Sequence, residues 1–213
     1  MIKLDVLSDP ICPWCYIGKT RLEKALEDQP DQIFTIEWHP FQLNPDMETG
    51  GMDRREYLAK KFGSKENAVR VYSEIEKHAL EEGLILNFST IQRTPNTINA
   101  HRLIYWAGIE DNQSVVVDAI FKAYFRDGRD IGDSEVLCDI ADSSGLNAAV
   151  IGKLLSSESD IDDIRQRDAH SRKRGVDSVP TFIVANKHAV PGAQTTELWR
   201  RVIGEMRAQL APE

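Results

Sequence analysis

Cys12 and Cys15 are the residues of this chain best suited to chemistry, separated by two positions in Ser8-Asp9-Pro10-Ile11-Cys12-Pro13-Trp14-Cys15-Tyr16-Ile17-Gly18. The pair follows a short apolar run and opens a helical pattern. That placement sets Cys12 at or near a helix N-terminus, where unpaired backbone N–H groups and the helix dipole favour negative charge. A thiol so placed ionises more readily, and the thiolate is the nucleophile of thiol–disulfide exchange. Cys15, one turn on, can reach back to close a disulfide or resolve a mixed one. Pro13 has no N–H to donate and fixes the entry into the helix. Trp14 offers a flat apolar surface beside the sulfur. Thiols in such motifs reach pKa values of ~3.5 to ~7 against ~8.5 for free cysteine. Each unit is about 1.4 kcal/mol in favour of the thiolate.

A second candidate lies far along the chain, in Val179-Pro180-Thr181. A proline directly before an apolar β-run cannot continue a central ladder, so it marks an edge, a bulge or a cis bond. Zinc asks for about four ligands, and no second CxxC or CxxH accompanies the cysteines, so no metal is expected. The helix-start context also argues against a purely structural cysteine pair. Cys138 shares a helical pattern with Val136, Leu137 and Ile140 and reads as a buried hydrophobe. His101, in an apolar helical pattern, reads first as a packed, hydrogen-bonded histidine and second as a catalytic one. His39 reads as an exposed strand end. Asp9 has two readings, a cap for the cysteine helix or a carboxylate that raises the thiol pKa. Glu158–Asp163 reads as a solvated helix start rather than a metal loop.

The elements that must position these residues follow from periodicity. Ile2, Leu4 and Val6 alternate with Lys3 and Asp5, which predicts a strand ended by Asp9-Pro10. Cys15, Gly18, Leu22, Ala25 and Leu26 recur at helical spacing up to Gln29-Pro30. Phe34, Ile36 and Trp38 then alternate as a second strand, completing a βαβ unit with parallel strands. After the turn-rich Asn44–Met52 stretch the chain is helical, over about 53–62, 65–82, 94–107, 113–126, 133–143, 148–155 and 160–174. Thr94-Pro95 is the start signal of the third of these. Strand character returns in Thr181–Val184 and His188–Val190, joined as a hairpin by Ala185-Asn186-Lys187. Thr195 or Thr196 caps a last helix, with Trp199, Val202, Ile203, Met206 and Leu210 on one face. Without its middle the order is β-α-β, then β-β-α. This is an α/β thioredoxin fold, interrupted by an all-helical insertion domain. The expected boundaries are 1–44 with 175–213 for the thioredoxin-like domain and 45–174 for the insertion.

Composition narrows the partners. The chain has 213 residues, 41% of them hydrophobic, with a formal net charge of −8 and no dense basic run. Nucleic acid and anionic membrane are therefore excluded as expected partners. No apolar run is long enough to span a bilayer. Met1 leads almost directly into strand-like residues with no leader pattern, which favours a cytoplasmic setting. Three cysteines are too few for a disulfide scaffold.

Across nearly its whole length the chain resembles the DsbA family of oxidoreductases, and within it the cytosolic FrnE-like branch. Ser8-Asp9 with Cys12-Pro13-Trp14-Cys15-Tyr16-Ile17-Gly18 carries the resemblance. So do Pro95-Asn96-Thr97 with Ala100-His101-Arg102-Leu103, Lys122-Ala123-Tyr124-Phe125, Gly175-Val176 with Val179-Pro180-Thr181-Phe182, and Gly192-Ala193-Gln194. The resemblance implies Cys12 as attacking thiol, Cys15 as resolving thiol and Pro180 as a cis-proline beside them. It implies that the Val179 backbone pairs with substrate, with Pro13, Trp14 and His101 as further binding candidates. Substrates would be disulfides or dithiols, protein or small molecule. No bound cofactor is implied, glutathione is a conceivable co-substrate, and a homodimer is a family-level expectation. The branch is also similar to kappa-class glutathione transferases and 2-hydroxychromene-2-carboxylate isomerase, which carry a serine where Cys12 stands. The presence of both cysteines favours redox chemistry over glutathione-dependent isomerase or transferase activity. A non-catalytic, chaperone-like binding module using the groove around Trp14 is a third reading.

Overall fold

A computed structural model describes residues 1–210 of the chain. In chain order the elements are β1 (Ile2–Ser8), α1 (Pro13–Glu27), β2 (Phe34–Pro40), β3 (Met52–Asp53), α2 (Arg54–Phe62), α3 (Lys65–Glu81), β4 (Arg93–Thr94) and α4 (Ile98–Ile109). There follow α5 (Gln113–Phe121), α6 (Ser134–Ser143), α7 (Ala148–Leu155), α8 (Ile161–Lys173), β5 (Thr181–Val184), β6 (His188–Pro191) and α9 (Thr196–Leu210). Four strands form one sheet in the order β2-β1-β5-β6. β1 runs parallel to β2, with Val6 opposite Trp38, and antiparallel to β5, with Val6 opposite Phe182. β5 and β6 close the expected hairpin, with Ala185 and Asn186 both at positive φ (54° and 58°), the backbone such a tight turn requires.

This is the expected thioredoxin fold with a largely helical segment between β2 and β5. β1 is buried from Leu4 onward because it lies between two neighbours and is covered on both faces. Leu4, Val6, Phe34, Phe182, Val184, Trp199 and Ile203 share one continuous core with Tyr124, Phe125 and Leu137 of the helical segment. Tyr16 of α1 stacks on Phe121 at 5.0 Å, so the helical segment and α1 share packed surface. The Gln113 side chain holds the outer edge of β2. Its Oε1 accepts from the Trp38 N–H (2.7 Å) and its Nε2 donates to the Trp38 carbonyl (3.1 Å). Among the described residues no helix is long and apolar enough to cross a membrane.

Several expectations need correction. Thr94-Pro95 does not start a helix: Thr94 is buried in a two-residue antiparallel bridge with Met52, so the segment is not wholly helical. Gly51 (φ 68°) makes room for that bridge, since a Cβ there would lie 2.6 Å from the Thr94 carbonyl oxygen. α4 begins four residues later, where Asn96 Oδ1 accepts from the Ile98 N–H at 2.9 Å. The helix expected over 113–126 ends in a π turn at Lys122–Arg126, a widened turn that buries Ala123, Tyr124 and Phe125 in succession. Cys138 is half-buried at the rim of the core, and the burial it has pushes its thiol pKa up. Thr195, not Thr196, caps α9 by accepting from the Leu198 N–H at 3.2 Å. The Leu210 side chain lies outside the described residues.

Candidate active site

Cys12 is the N-cap of α1, in extended backbone (φ −90°, ψ 111°), and Pro13 occupies the first helical position. Its carbonyl accepts from the Cys15 N–H at 3.0 Å. No acidic residue stands in the first turn, so the positive end of the dipole meets Cys12 unopposed. The Cys12 Sγ donates to the Val179 carbonyl at 3.6 Å across 167 positions of sequence. The Val179–Pro180 peptide bond is cis. Pro180 is buried, while Val179, Pro13 and Trp14 are half-buried.

Gly18 makes this closeness possible. A Cβ at that position would stand 3.1 Å from Pro180 Cγ and 3.3 Å from the Ala193 Cα. Gly18→Val is therefore expected to cost about 1–3 kcal/mol by overpacking, and to push the Pro180 loop off α1. Chemical denaturation reads the first effect. A stability equal to that of the parent would show that the loop yields freely.

Cys12 and Cys15 are both free thiols and both buried; Cys12 is only 4% exposed. The two thiols share their core with residues from segments distant in sequence. Burial is the first reason the Cys15 pKa stands well above its ordinary value, followed by its hydrogen bond to Cys12. The Ser8 side chain and the Asp9 backbone act the other way. Cys15 therefore rests as a thiol. Beside the motif, Trp14 packs against His78 of α3 with ring centroids 5.3 Å apart. Arg21 and Lys24 of α1 both reach Glu82 at 2.7 Å, clamping the end of α3 to the cysteine helix.

Beneath the motif lies a pair that the sequence did not disclose. Asp9 is fully buried and caps no helix. Its Oδ1 accepts from the Ile11 N–H (3.3 Å) and its Oδ2 from the Leu43 N–H (2.6 Å), tying the cysteine loop to the segment after β2. His101 of α4 is packed as expected, but its Nε2 has no hydrogen-bond partner and lies 3.9 Å from Asp9 Oδ1. At 3% exposure it faces the interior, although it lines the inner end of a cleft along β2. His39 is half-buried rather than exposed, with Nε2 2.7 Å from Asp5 Oδ1. Two open clefts of about 620 and 660 Å³ run beside β2 and α8, and neither is lined by Cys12, Cys15 or Pro180.

Desolvation pushes Asp9 up to about 7 and His101 down to about 3. The two shifts oppose each other in stability. A raised Asp9 costs stability as pH rises from about 3.8 to about 7. A lowered His101 costs stability as pH falls from about 6.5 to about 3. Between about 4 and 6.5 the folded and unfolded pair hold one proton each, so the slopes cancel. Replacing His101 by glutamine leaves Asp9 alone. Relative to the parent, its unfolding free energy is then expected to fall by about 1.4 kcal/mol per pH unit across that window. Parallel stability–pH curves for the two proteins would contradict the opposed shifts.

A family model for DSBA-like thioredoxin domains matches residues 3–204. The chain belongs to the DSBA-like thioredoxin domain family. Among solved structures it is similar to the probable DsbA oxidoreductase of Streptomyces coelicolor, with 27% identity, a TM-score of 0.88, and coverage of 100% of this chain and 93% of that one. It shares its fold with 2-hydroxychromene-2-carboxylate isomerase (17% identity, TM-score 0.75, coverage 99% and 100%). It also shares it with the cytosolic disulfide reductase DsbM of Pseudomonas aeruginosa (19%, TM-score 0.69, coverage 98% and 100%), whose structure is also known with glutathione. Within this DsbA-like chain the motif cysteines and the cis-proline stand together, while His101 stands apart from them as an interior partner of Asp9.

Proposed function

We propose that this DsbA-like chain is a thiol–disulfide oxidoreductase acting through Cys12 and Cys15. The observation that carries the reading is the Cys12 Sγ at the α1 N-terminus, 3.6 Å from the Val179 carbonyl, with a free Cys15 one turn behind it. The Cys12 thiolate attacks one sulfur of a substrate disulfide; a Cys12–substrate bond forms, the substrate S–S bond breaks, and one substrate thiolate leaves. Cys15 then loses its proton and attacks Cys12 Sγ, forming Cys12–Cys15 and releasing the second substrate thiolate. The substrate is reduced and the protein oxidised; run backwards, the same steps oxidise a dithiol. Val179 and Pro180 hold the substrate strand at the sulfur, with Pro13 and Trp14 flanking it.

Glutathione is the proposed small-molecule co-substrate and the cytosol the proposed compartment, a reading supported by DsbM and its glutathione-containing structure. The test is exchange with a model disulfide by the parent, Cys12→Ser and Cys15→Ser proteins. Loss of exchange in both variants supports the reading. Full activity in Cys15→Ser moves the chain to the transferase or isomerase class, and full function in both variants makes it a binding module.

A further inference from the structure

The register of β1 on β2 gathers a second set of chemically able side chains, away from the cysteines. In this parallel pair Asp5 lies opposite Glu37 and Leu7 opposite His39. Alternate residues of a strand face one way, so Lys3 and Asp5 of β1 share a face of the sheet with Glu37 and His39 of β2. Lys3, Asp5 and His39 line the cleft of about 660 Å³ together with residues of α8, whereas Leu4 and Val6 belong to the core. Two carboxylates side by side on neighbouring strands repel each other, and Asp5 is buried, which adds to the cost of its charge.

The partners of these carboxylates come from two sides. Lys3 Nζ stands 3.0 Å from Asp5 Oδ1 and 2.9 Å from Glu37 Oε2. His39 Nε2 stands 2.7 Å from Asp5 Oδ1 and 3.7 Å from Glu37 Oε1. Glu37 thus turns one oxygen to Lys3 and the other to His39. One donor atom from each of Asp5, Glu37 and His39 lies within 4.8 Å of the other two. Ligands bonded to Zn2+ at about 2.0–2.2 Å stand about 3–4 Å from one another, so the three donors bracket that spacing. A nitrogen among the oxygens sets the cluster apart from an acidic patch, because imidazole selects Zn2+ and its first-row neighbours over Mg2+ and Ca2+. Three protein ligands leave a fourth position open, here toward the cleft.

We propose that Asp5, Glu37 and His39 form a site for a divalent transition-metal ion of the Zn2+ type, and that Lys3 is the cation it displaces. The Lys3 side chain is half-exposed and carries its charge on a flexible stem, so the ammonium swings into water as the ion arrives. The ion then joins β1 to β2 through Asp5 Oδ1, Glu37 Oε1 and His39 Nε2, with water from the cleft as fourth ligand. Arg167 and Lys173 of α8 line the same cleft, and their positive charge opposes tight binding. Asp163, across the cleft, is engaged by Arg167 at 2.9 Å. The site is therefore one that exchanges its ion rather than one that locks it in.

This site is independent of the dithiol reading, and its test removes the motif thiols as rival zinc ligands. The full chain carrying Cys12→Ser and Cys15→Ser is titrated with zinc chloride by calorimetry, and its melting is followed in parallel. One ion per chain is expected to bind, with a melting temperature that rises with Zn2+ concentration, as for any ligand of the folded state. Partners outside the first coordination shell are already worth about 10–100-fold in metal affinity, so His39→Ala and Glu37→Gln, placed in the same protein, are each expected to weaken binding about a hundredfold. Glu37→Gln alters only a half-exposed side chain and decides the matter if His39→Ala does not fold. Lys3→Met removes the competing cation and is expected to tighten binding about fivefold, the worth of a half-exposed ion pair. His170→Ala, at a cleft histidine outside the triad, is expected to leave the affinity unchanged. No binding at all, unchanged affinity in His39→Ala or Glu37→Gln, no gain in Lys3→Met, or a loss in His170→Ala overturns the proposal.

Discussion

Replacement of Cys12 by serine is expected to lower thiol–disulfide exchange by on the order of 10³-fold or more. A serine hydroxyl at the same N-cap would gain from the same helix dipole, but it remains protonated and cannot act as the leaving group that closes the cycle. Replacement of Cys15 is expected to do something different. Cys12 keeps its position against the Val179 carbonyl and captures substrate once, but nothing attacks the mixed disulfide, so the covalent adduct accumulates. Mass spectrometry of the variant after exposure to a model disulfide shows the adduct directly. Steady turnover by Cys15→Ser without any adduct would sink the two-step scheme.

Trp199→Ala is expected to be the most damaging change outside the motif. Trp199 is fully buried in α9 and meets Phe182 of β5 edge-to-face at 4.8 Å, so it fastens the last helix to the strand beside Pro180. Removing a side chain of that size leaves a cavity the sheet cannot close, at a cost of about 3–5 kcal/mol. In a chain of this length that lowers the melting temperature by roughly 10 °C. The Trp199 Nε1 has no hydrogen-bond partner, so Trp199→Phe gives up most of the volume change and removes a buried unpaired donor. Its expected cost is below about 2 kcal/mol. Equal destabilisation by alanine and phenylalanine would show that the indole N–H, not the packing, matters there.

The parts of the fold that were legible in the sequence are those where one face repeats. The alternation of Ile2, Leu4 and Val6 marks a strand that is buried from Leu4 onward, and the shared face of Trp199, Ile203 and Met206 is buried in α9. Val179-Pro180 was legible because a proline before an apolar β-run has few uses. Thr94-Pro95 misled for the converse reason. Its local signal for a helix start is real, but the room made by Gly51 and the pairing with Met52 override it. Asp9 and His101 were visible only one at a time. Neither has a spacing that announces the other, and the loss of solvent that shifts both arises from helices and strands folded around them. Cys12 was read correctly in its position at the start of α1.

The two bonds from Gln113 to the Trp38 backbone have a consequence for assembly. A single amide imitates the next strand, presenting one donor and one acceptor at the spacing a neighbouring backbone would use. The exposed rim of a parallel pair is normally a template on which foreign chains crystallise into ribbons. Here that template has been answered from within. A second copy seeking to extend the sheet past β2 must first evict the amide, trading two internal bonds for two external ones. The β2 margin is thus occupied at Trp38, and self-association of this chain through its sheet is steered toward surfaces other than that point.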